Sequence, residues 1–277
     1  MGKVATIILN RNLPDVTDAL CEHIQEYDGS VTDLYVVEAG SDQEKLSRNC
    51  TWYVHDENIM KNGLRYGRGM NYGLIQLIKE SKYSQYNAFF LLTNDTEFRN
   101  EPTLKPLMQI MEENSKIGIL SPCSERWGEK YLVKKDGIGF FWFIHNNALL
   151  IRKEFVDCIA DFGSLDYMHF LFDGNNFRGY MTEDELIAKA YANDWAAAIT
   201  NKVWVEENEN HLLEHAQIIK TEGFEENLKL YIEEGLKWIK HKYGFNSRWT
   251  MQQYVRQFYN SFFDFYPELE KYRIGVK

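Results

Sequence analysis

Two acidic groups in this chain have the residue types and spacing to do chemistry. The first lies in Asn87–Asn100, NAFFLLTNDTEFRN. An apolar run, Ala88-Phe89-Phe90-Leu91-Leu92, stops abruptly at Thr93-Asn94-Asp95-Thr96-Glu97. Asp95 and Glu97, alternating with Asn94 and Thr96, form an oxygen-rich set suited to a hard cation such as Mg²⁺ or Mn²⁺. Taken alone, the segment also reads as a strand followed by a solvated turn. The second group is Thr182-Glu183-Asp184-Glu185, opening a helix through Leu186, Ile187, Ala190 and Tyr191. Thr182 with Glu185 three residues on forms a capping box, which leaves Glu183 and Asp184 unexplained. Between the two groups lies Asn62–Gly73, NGLRYGRGMNYG. Its four glycines would let backbone approach a ligand, and Arg65 and Arg68 could reach phosphate oxygens. The alternative is a loop opening a helix through Leu74, Leu77 and Ile78, with its arginines solvated.

These residues need elements to hold them. Val4–Leu9, VATIIL, is β-branched and apolar, the pattern of a central parallel strand. It ends in Asn10-Arg11-Asn12. Asp15 or Thr17 can cap the helix that follows, with Val16, Ala19, Leu20, His23 and Ile24 at helical spacing. Leu34–Val37 is the second strand, ending in Glu38-Ala39-Gly40-Ser41-Asp42. This is a βαβ unit without a GxGxxG turn. Ala88–Leu92 reads as another strand buried on both faces. The acids and amides therefore gather beyond the carboxyl ends of strands, where open α/β sheets bind ligands.

Further strands are expected at Thr51–His55, Ile117–Leu120, Gly139–Ile144, Ala148–Ile151, Ala196–Ile199 and Val203–Val205, with helices over Pro102–Glu113 and Lys153–Ala160. Asp173–Asp184 fails as a calcium loop, because Arg178 stands at the position that requires glycine. From about Glu214 onward, apolar residues recur at helical spacing, Leu228, Tyr231, Ile232, Leu236 and Ile239 and then Met251, Tyr254, Val255, Phe258 and Phe262. The expected organisation is one α/β domain over 1–213 and a helical region over 214–277.

The 277 residues carry a formal net charge of -10, which argues against a general nucleic-acid binder. The four cysteines are far apart and lack the close spacing of a zinc site, so reduced thiols are expected. There is no charged-then-apolar leader, and no stretch approaches the length of a membrane-spanning helix. A cytoplasmic protein is expected, its aromatic C-terminal helices packed internally or set against a partner subunit or membrane surface.

Five segments, in order, resemble the family 2 glycosyltransferases, inverting enzymes of GT-A fold. VATIILNRN resembles the opening strand and nucleotide-contacting loop. LYVVEAGSD resembles the strand that ends in Asp-Asn-Gly-Ser, with Glu38 and Ala39 in place of Asp and Asn. NGLRYGRGMNYG resembles the family's Asn-Gly-rich segment, with Asn71 as its later Asn. FFLLTNDTEF resembles a form of the Asp-X-Asp metal motif, with Asp95 at the second Asp and Thr93 at the first. NNALLIRKEFVDCIADFGSLD and then YMTEDELIAKAYANDW resemble the acceptor-side segment ending in Glu-Asp. The match covers about residues 4–211. It implies a GT-A-like, Rossmann-type mixed sheet flanked by helices, with a C-terminal helical extension. It also implies a UDP-, GDP- or dTDP-sugar donor, a glycan or lipid-linked acceptor, and Mn²⁺ or Mg²⁺. Donor binding falls to Asn10, Arg11, Glu38, Arg65, Arg68, Asn71 and Asn94. The metal falls to Asp95 and a late His, His211, with Glu97 as a helper. Asp184 is the general base, with Glu183 orienting it or exchanging roles. Two other readings stay open, a sugar nucleotidyltransferase and a non-catalytic nucleotide-sugar-binding protein.

Overall fold

The structure is a computed structural model that describes residues 2–133, 137–144, 148–208 and 210–274, and for residues 211 and 212 the backbone alone. Four parallel strands form one half of the sheet: β1 (Val4–Asn10), β2 (Thr32–Glu38), β3 (Cys50–Tyr53) and β4 (Ala88–Thr93). β1 sits between β2 and β4, and all seven of its residues are buried. That is why VATIIL shows no alternation. β5 (Thr96–Phe98), β6 (Ile117–Cys123), β7 (Ile138–Phe140), β8 (Ala148–Arg152) and β9 (Ala196–Glu207) complete a sheet of order β3-β2-β1-β4-β8-β6-β9-β5, with β7 also on β9. β8 is antiparallel to both β4 and β6, and β6 and β9 are parallel.

Helices α1 (Pro14–Asp28), α2 (Glu57–Asn62), α3 (Arg65–Lys79), α4 (Leu104–Glu113), α5 (Lys153–Ile159), α6 (Thr182–Ala192), α7 (Asn210–His215), α8 (Phe224–Tyr243) and α9 (Arg248–Phe265) flank this sheet. α1 opens with Pro14, whose missing N–H costs nothing at a helix start. It ends at Asp28, a buried carboxylate that accepts from Thr103 N and Lys105 N at 2.8 and 3.3 Å and so caps α4. α9 packs its buried side chains, among them Met251, Val255, Tyr259 and Phe262, into the same core as the sheet. Tyr191 of α6 meets both Tyr259 and Phe262 edge-on.

Three local expectations are corrected. Gly139–Ile144 is a strand only as far as Phe140. The two strands expected after Trp195 are one, Ala196–Glu207, which runs from β6 and β7 on to β5. The capping box does not form. Met181 precedes α6 in the left-handed region (φ 64°), and Thr182 Oγ1 accepts from Asn176 Nδ2 at 3.2 Å. Glu185 is instead drawn to Lys242 Nζ at 2.6 Å and to the Tyr243 hydroxyl. A buried acid takes the partners that neutralise it over a backbone N–H.

Candidate functional site

The carboxyl ends of β1, β2 and β4 are joined by a chain of polar side chains. Glu38 is fully buried. It accepts from Asn10 Nδ2 at 3.1 and 2.9 Å, from Ser41 Oγ at 2.6 Å and from Ser47 N at 2.7 Å. Burial pushes its carboxyl above the usual range, and these hydrogen bonds pull the other way. Asn10 Oδ1 accepts from Leu13 N and from Asn94 Nδ2, at 3.1 and 3.3 Å, and Asn94 also donates to Thr17 Oγ1. Glu38 thus lies behind the wall and fixes the residue that forms it.

In front of this wall is a cavity of about 250 Å³ lined by Asn10, Arg11, Arg65, Tyr66, Asn94 and Asp95, with Ile219 and Asn227 at its mouth. Asp95 is in the turn between β4 and β5, and Asn208 N donates to its carbonyl at 2.8 Å. That bond ties the end of β9, and α7 just beyond it, to the Asp95 turn.

Two guanidinium groups supply the cavity's charge. Arg11 donates through Nη2 to Lys61 O at 2.9 Å, while its buried Nε and Nη1 have no partner. Gly63, at φ 75°, makes room for it: a Cβ there would stand 2.5 Å from Nη1. Arg65 donates through Nη2 to Thr221 Oγ1 at 2.8 Å, and its buried Nε is unpartnered. Burial, and then Arg65, bring Arg11 down to about 10, so it stays charged at neutral pH. Burial, and then Arg178, also lower Arg65. Arg178 is itself paired with Glu222 at 2.7 Å and with Glu234. Arg65 and Arg68 both lie over the Phe177 ring, at 5.4 and 4.8 Å. The lining itself carries two guanidiniums, Arg11 and Arg65, against one carboxylate, Asp95, while Arg178 beside it is offset by Glu222 and Glu234.

The stretch from α7 to α8 straps this cavity. Asn12 Nδ2 donates to Ile218 O at 2.7 Å, Lys220 pairs with Asp42, and Thr221 takes the Arg65 bond.

Glu183 and Asp184 are side by side in the first turn of α6. Burial, and then Asp184, push Glu183 up to about 8, and its buried Oε2 has no hydrogen-bond partner. Asp184 is 5% exposed. Neither lines the cavity that holds Arg11 and Arg65. Tyr66 lines the cavity, its buried hydroxyl has no partner, and Glu183 raises its pKa after burial does. Tyr180 and Tyr231 feel both carboxylates.

Three expected site residues lie elsewhere. Asn71 is fully buried, donates to Tyr167 O and Phe172 O at 2.8 Å each, and accepts from Leu171 N and Phe172 N. Its carboxamide is spent on pinning the 167–172 segment. Arg68 donates to Gly174 O at 2.7 Å and does not line the cavity. Glu97 is exposed on β5 and accepts from Asn208 Nδ2 at 2.6 Å. The glycines are corrected as well. A Cβ on Gly69 or Gly73 would meet Leu9 or Ile7 at 2.8 Å, so they seat α3 against β1. His211 is in α7, but its side chain lies outside the described residues. Arg178, Glu222 and Asn227 carry no motif, and only the folded chain brings them to this site; Tyr66 lies within NGLRYGRGMNYG but is not singled out by it.

No protein-family model matches the sequence, and no curated protein matches it. Solved structures do. A mannosyltransferase from Pyrobaculum calidifontis, in complex with GDP-Man and Mn²⁺, superposes with a TM-score of 0.53 at 12% identity, over 94% of this chain and 74% of that one. The fold is GT-A. Residues 1–349 of S. aureus TarS give 0.52 at 13% identity, over 87% and 73% of the two chains. GalNAc-T7 with UDP, GalNAc and Mn²⁺ gives 0.57 at 9%, over 98% of this chain and 58% of that one. The likeness is one of fold. The four cysteines are free thiols, and no described helix is long and apolar enough to cross a membrane.

Proposed function

We propose that the chain is a glycosyltransferase that moves a sugar from a nucleotide-sugar to a hydroxyl acceptor with inversion. The observation that carries this reading is the pair of half-buried arginines, Arg11 and Arg65, which line a cavity at the carboxyl ends of β1 and β4 and each keep a buried N–H without a partner. Buried donors without partners are costly, and a diphosphate supplies the acceptors they lack. Asn10 and Asn94 would contact the ribose side, held in place through Glu38.

A divalent cation fits in a limited way. Asp95 is the one carboxylate among the described cavity residues, and no described group of three His, Cys, Asp or Glu side chains could hold a metal. A cation would therefore rest on Asp95 and on the donor's own phosphates, as Mg²⁺ often does. Bound there, it would neutralise charge on the departing diphosphate.

The acceptor oxygen forms its bond to the anomeric carbon as the bond to the phosphate oxygen breaks. The diphosphate leaves against Arg11 and Arg65, and the acceptor proton passes to the Glu183/Asp184 pair. Burial, and then the neighbouring Asp184, keep the proton on Glu183 at neutral pH, and Asp184 is assigned as the general base.

The deep burial of Asp184 favours one alternative, a protein that binds nucleotide-sugars without turnover. Nucleotide release from UDP-Glc, UDP-GlcNAc, GDP-Man and dTDP-Glc, with Mn²⁺, separates the two. A transferase slowly hydrolyses one of these donors, and Asp184→Asn loses about 10²–10⁴-fold of that rate. Binding with no release in the wild type, or release untouched by Asp184→Asn, overturns the assignment.

A further inference from the structure

A second cavity, of about 590 Å³, opens beside α9 and is lined by Trp127, Glu129, Trp142, Phe143, Arg248 and Gln252. We propose that it holds a saccharide ring of the acceptor, an inference that rests on the transferase reading.

Its size falls within the range of small-ligand sites, about 300–1,000 Å³. Its walls match a pyranose, which has apolar C–H faces and a rim of hydroxyls. Two indoles and a phenyl ring line it, and a guanidinium and a carboxamide bring hydrogen-bonding groups for the rim. Trp142 is held rigidly. Phe143 meets it edge-on at 5.2 Å, Tyr259 packs at 5.3 Å, and the Arg256 guanidinium lies 5.3 Å over its ring. A platform fixed before binding loses little freedom on binding.

Arg248 connects this cavity to the acids. It lines the cavity, lies over the Tyr180 ring at 5.9 Å, and acts electrostatically on Glu183. Tyr180 in turn feels both Asp184 and Glu183. A saccharide seated in this cavity would therefore meet Arg248, which acts on Glu183 of the general-base pair. The donor cavity meets the same pair through Tyr66. Glu183 thus interacts electrostatically with a residue lining each cavity, Arg248 in one and Tyr66 in the other. α9 contributes both Arg248 and Gln252, which gives the C-terminal helices a part in acceptor choice.

The test is saturation-transfer NMR and calorimetry of the full chain with cellobiose, chitobiose, mannobiose and a glucuronic-acid-containing disaccharide, without donor. At least one disaccharide binds, and Trp142→Ala, Trp127→Ala and Gln252→Ala each weaken it tenfold or more. UDP and GDP binding to the same samples stays within twofold of wild type. If Trp142→Ala fails to fold, Trp127→Ala and Gln252→Ala carry the test. Absence of binding by all four disaccharides, or binding unchanged in the folded variants, overturns the proposal. Saccharide binding without nucleotide binding removes the donor reading alone, and the reverse removes this inference alone.

Discussion

Asn10 donates its carboxamide to both oxygens of Glu38, at 3.1 and 2.9 Å, and so holds the end of β1 to the end of β2 behind the cationic cavity. Ser41 and Ser47 complete the carboxylate's shell. Removing Glu38 leaves several buried donors without an acceptor. Glu38→Ala lowers stability by on the order of 3 kcal/mol, because hydrogen bonds to a charged group each contribute about 1.5–3 kcal/mol. Urea denaturation followed by circular dichroism checks this, and Glu38→Ala weakens nucleotide binding as well by freeing Asn10.

Arg65 is shared between the cavity and the strap, since its Nη2 is bonded to Thr221 and stands 3.8 Å from Glu222. Thr221→Val with Glu222→Gln releases that arginine for a ligand. Arg178 keeps Glu234 as a partner in the double variant. UDP or GDP affinity rises about 3- to 10-fold, one such hydrogen bond contributing roughly 1 kcal/mol. Equal or weaker affinity in the double variant would mean that the strap assists binding rather than competing with it.

The raised pKa of Glu183 makes stability depend on pH in a definite direction. Its folded value, about 8, lies above the ordinary carboxylate range, so the folded chain holds a proton that the unfolded chain releases. Stability is full below the unfolded pKa and falls as pH rises from there towards 8. Each unit of pKa difference is worth about 1.4 kcal/mol. Glu183→Gln removes the effect. The variant melts near the wild type at pH 4.5 and above it at pH 8.5, as read by scanning calorimetry at both pH values.

The same titration shapes activity. With Glu183 holding its proton up to about pH 8, transfer turns over there as that proton is lost. Glu183→Gln keeps transfer and loses the turn near pH 8, whereas Asp184→Asn loses transfer at every pH. Steady-state rates from pH 5 to 9.5 distinguish the two.

Much of the fold was legible because buried parallel strands write themselves locally. Val4–Leu9 and Ala88–Leu92 are unbroken apolar runs, and both became strands paired on two sides. The acids and amides after them could be placed at the strand ends, and Asn10, Arg11, Arg65, Asn94 and Asp95 do line one cavity. What could not be read was which partner a polar residue would choose at long range. Asn71 satisfies backbone about 100 residues away. Glu185 is claimed by Lys242 and Tyr243 from α8, and nothing local predicts that over a cap. Arg178 and Glu222 meet only through tertiary structure. The glycines of α3 follow a packing requirement set by Ile7 and Leu9, which the ligand-loop reading of that segment overlooks.

The most direct test is calorimetric titration of UDP and of GDP, each with and without Mn²⁺, into the wild-type chain and into Arg65→Ala and Asp95→Asn. A diphosphate held between the two arginines and the Asp95 turn gives binding by at least one nucleotide, strengthened by Mn²⁺. Arg65→Ala weakens it about 10- to 100-fold, the range for one charge-assisted contact, and Asp95→Asn abolishes the Mn²⁺ dependence. No binding by either nucleotide, or binding that both variants leave untouched, contradicts a donor site in this cavity.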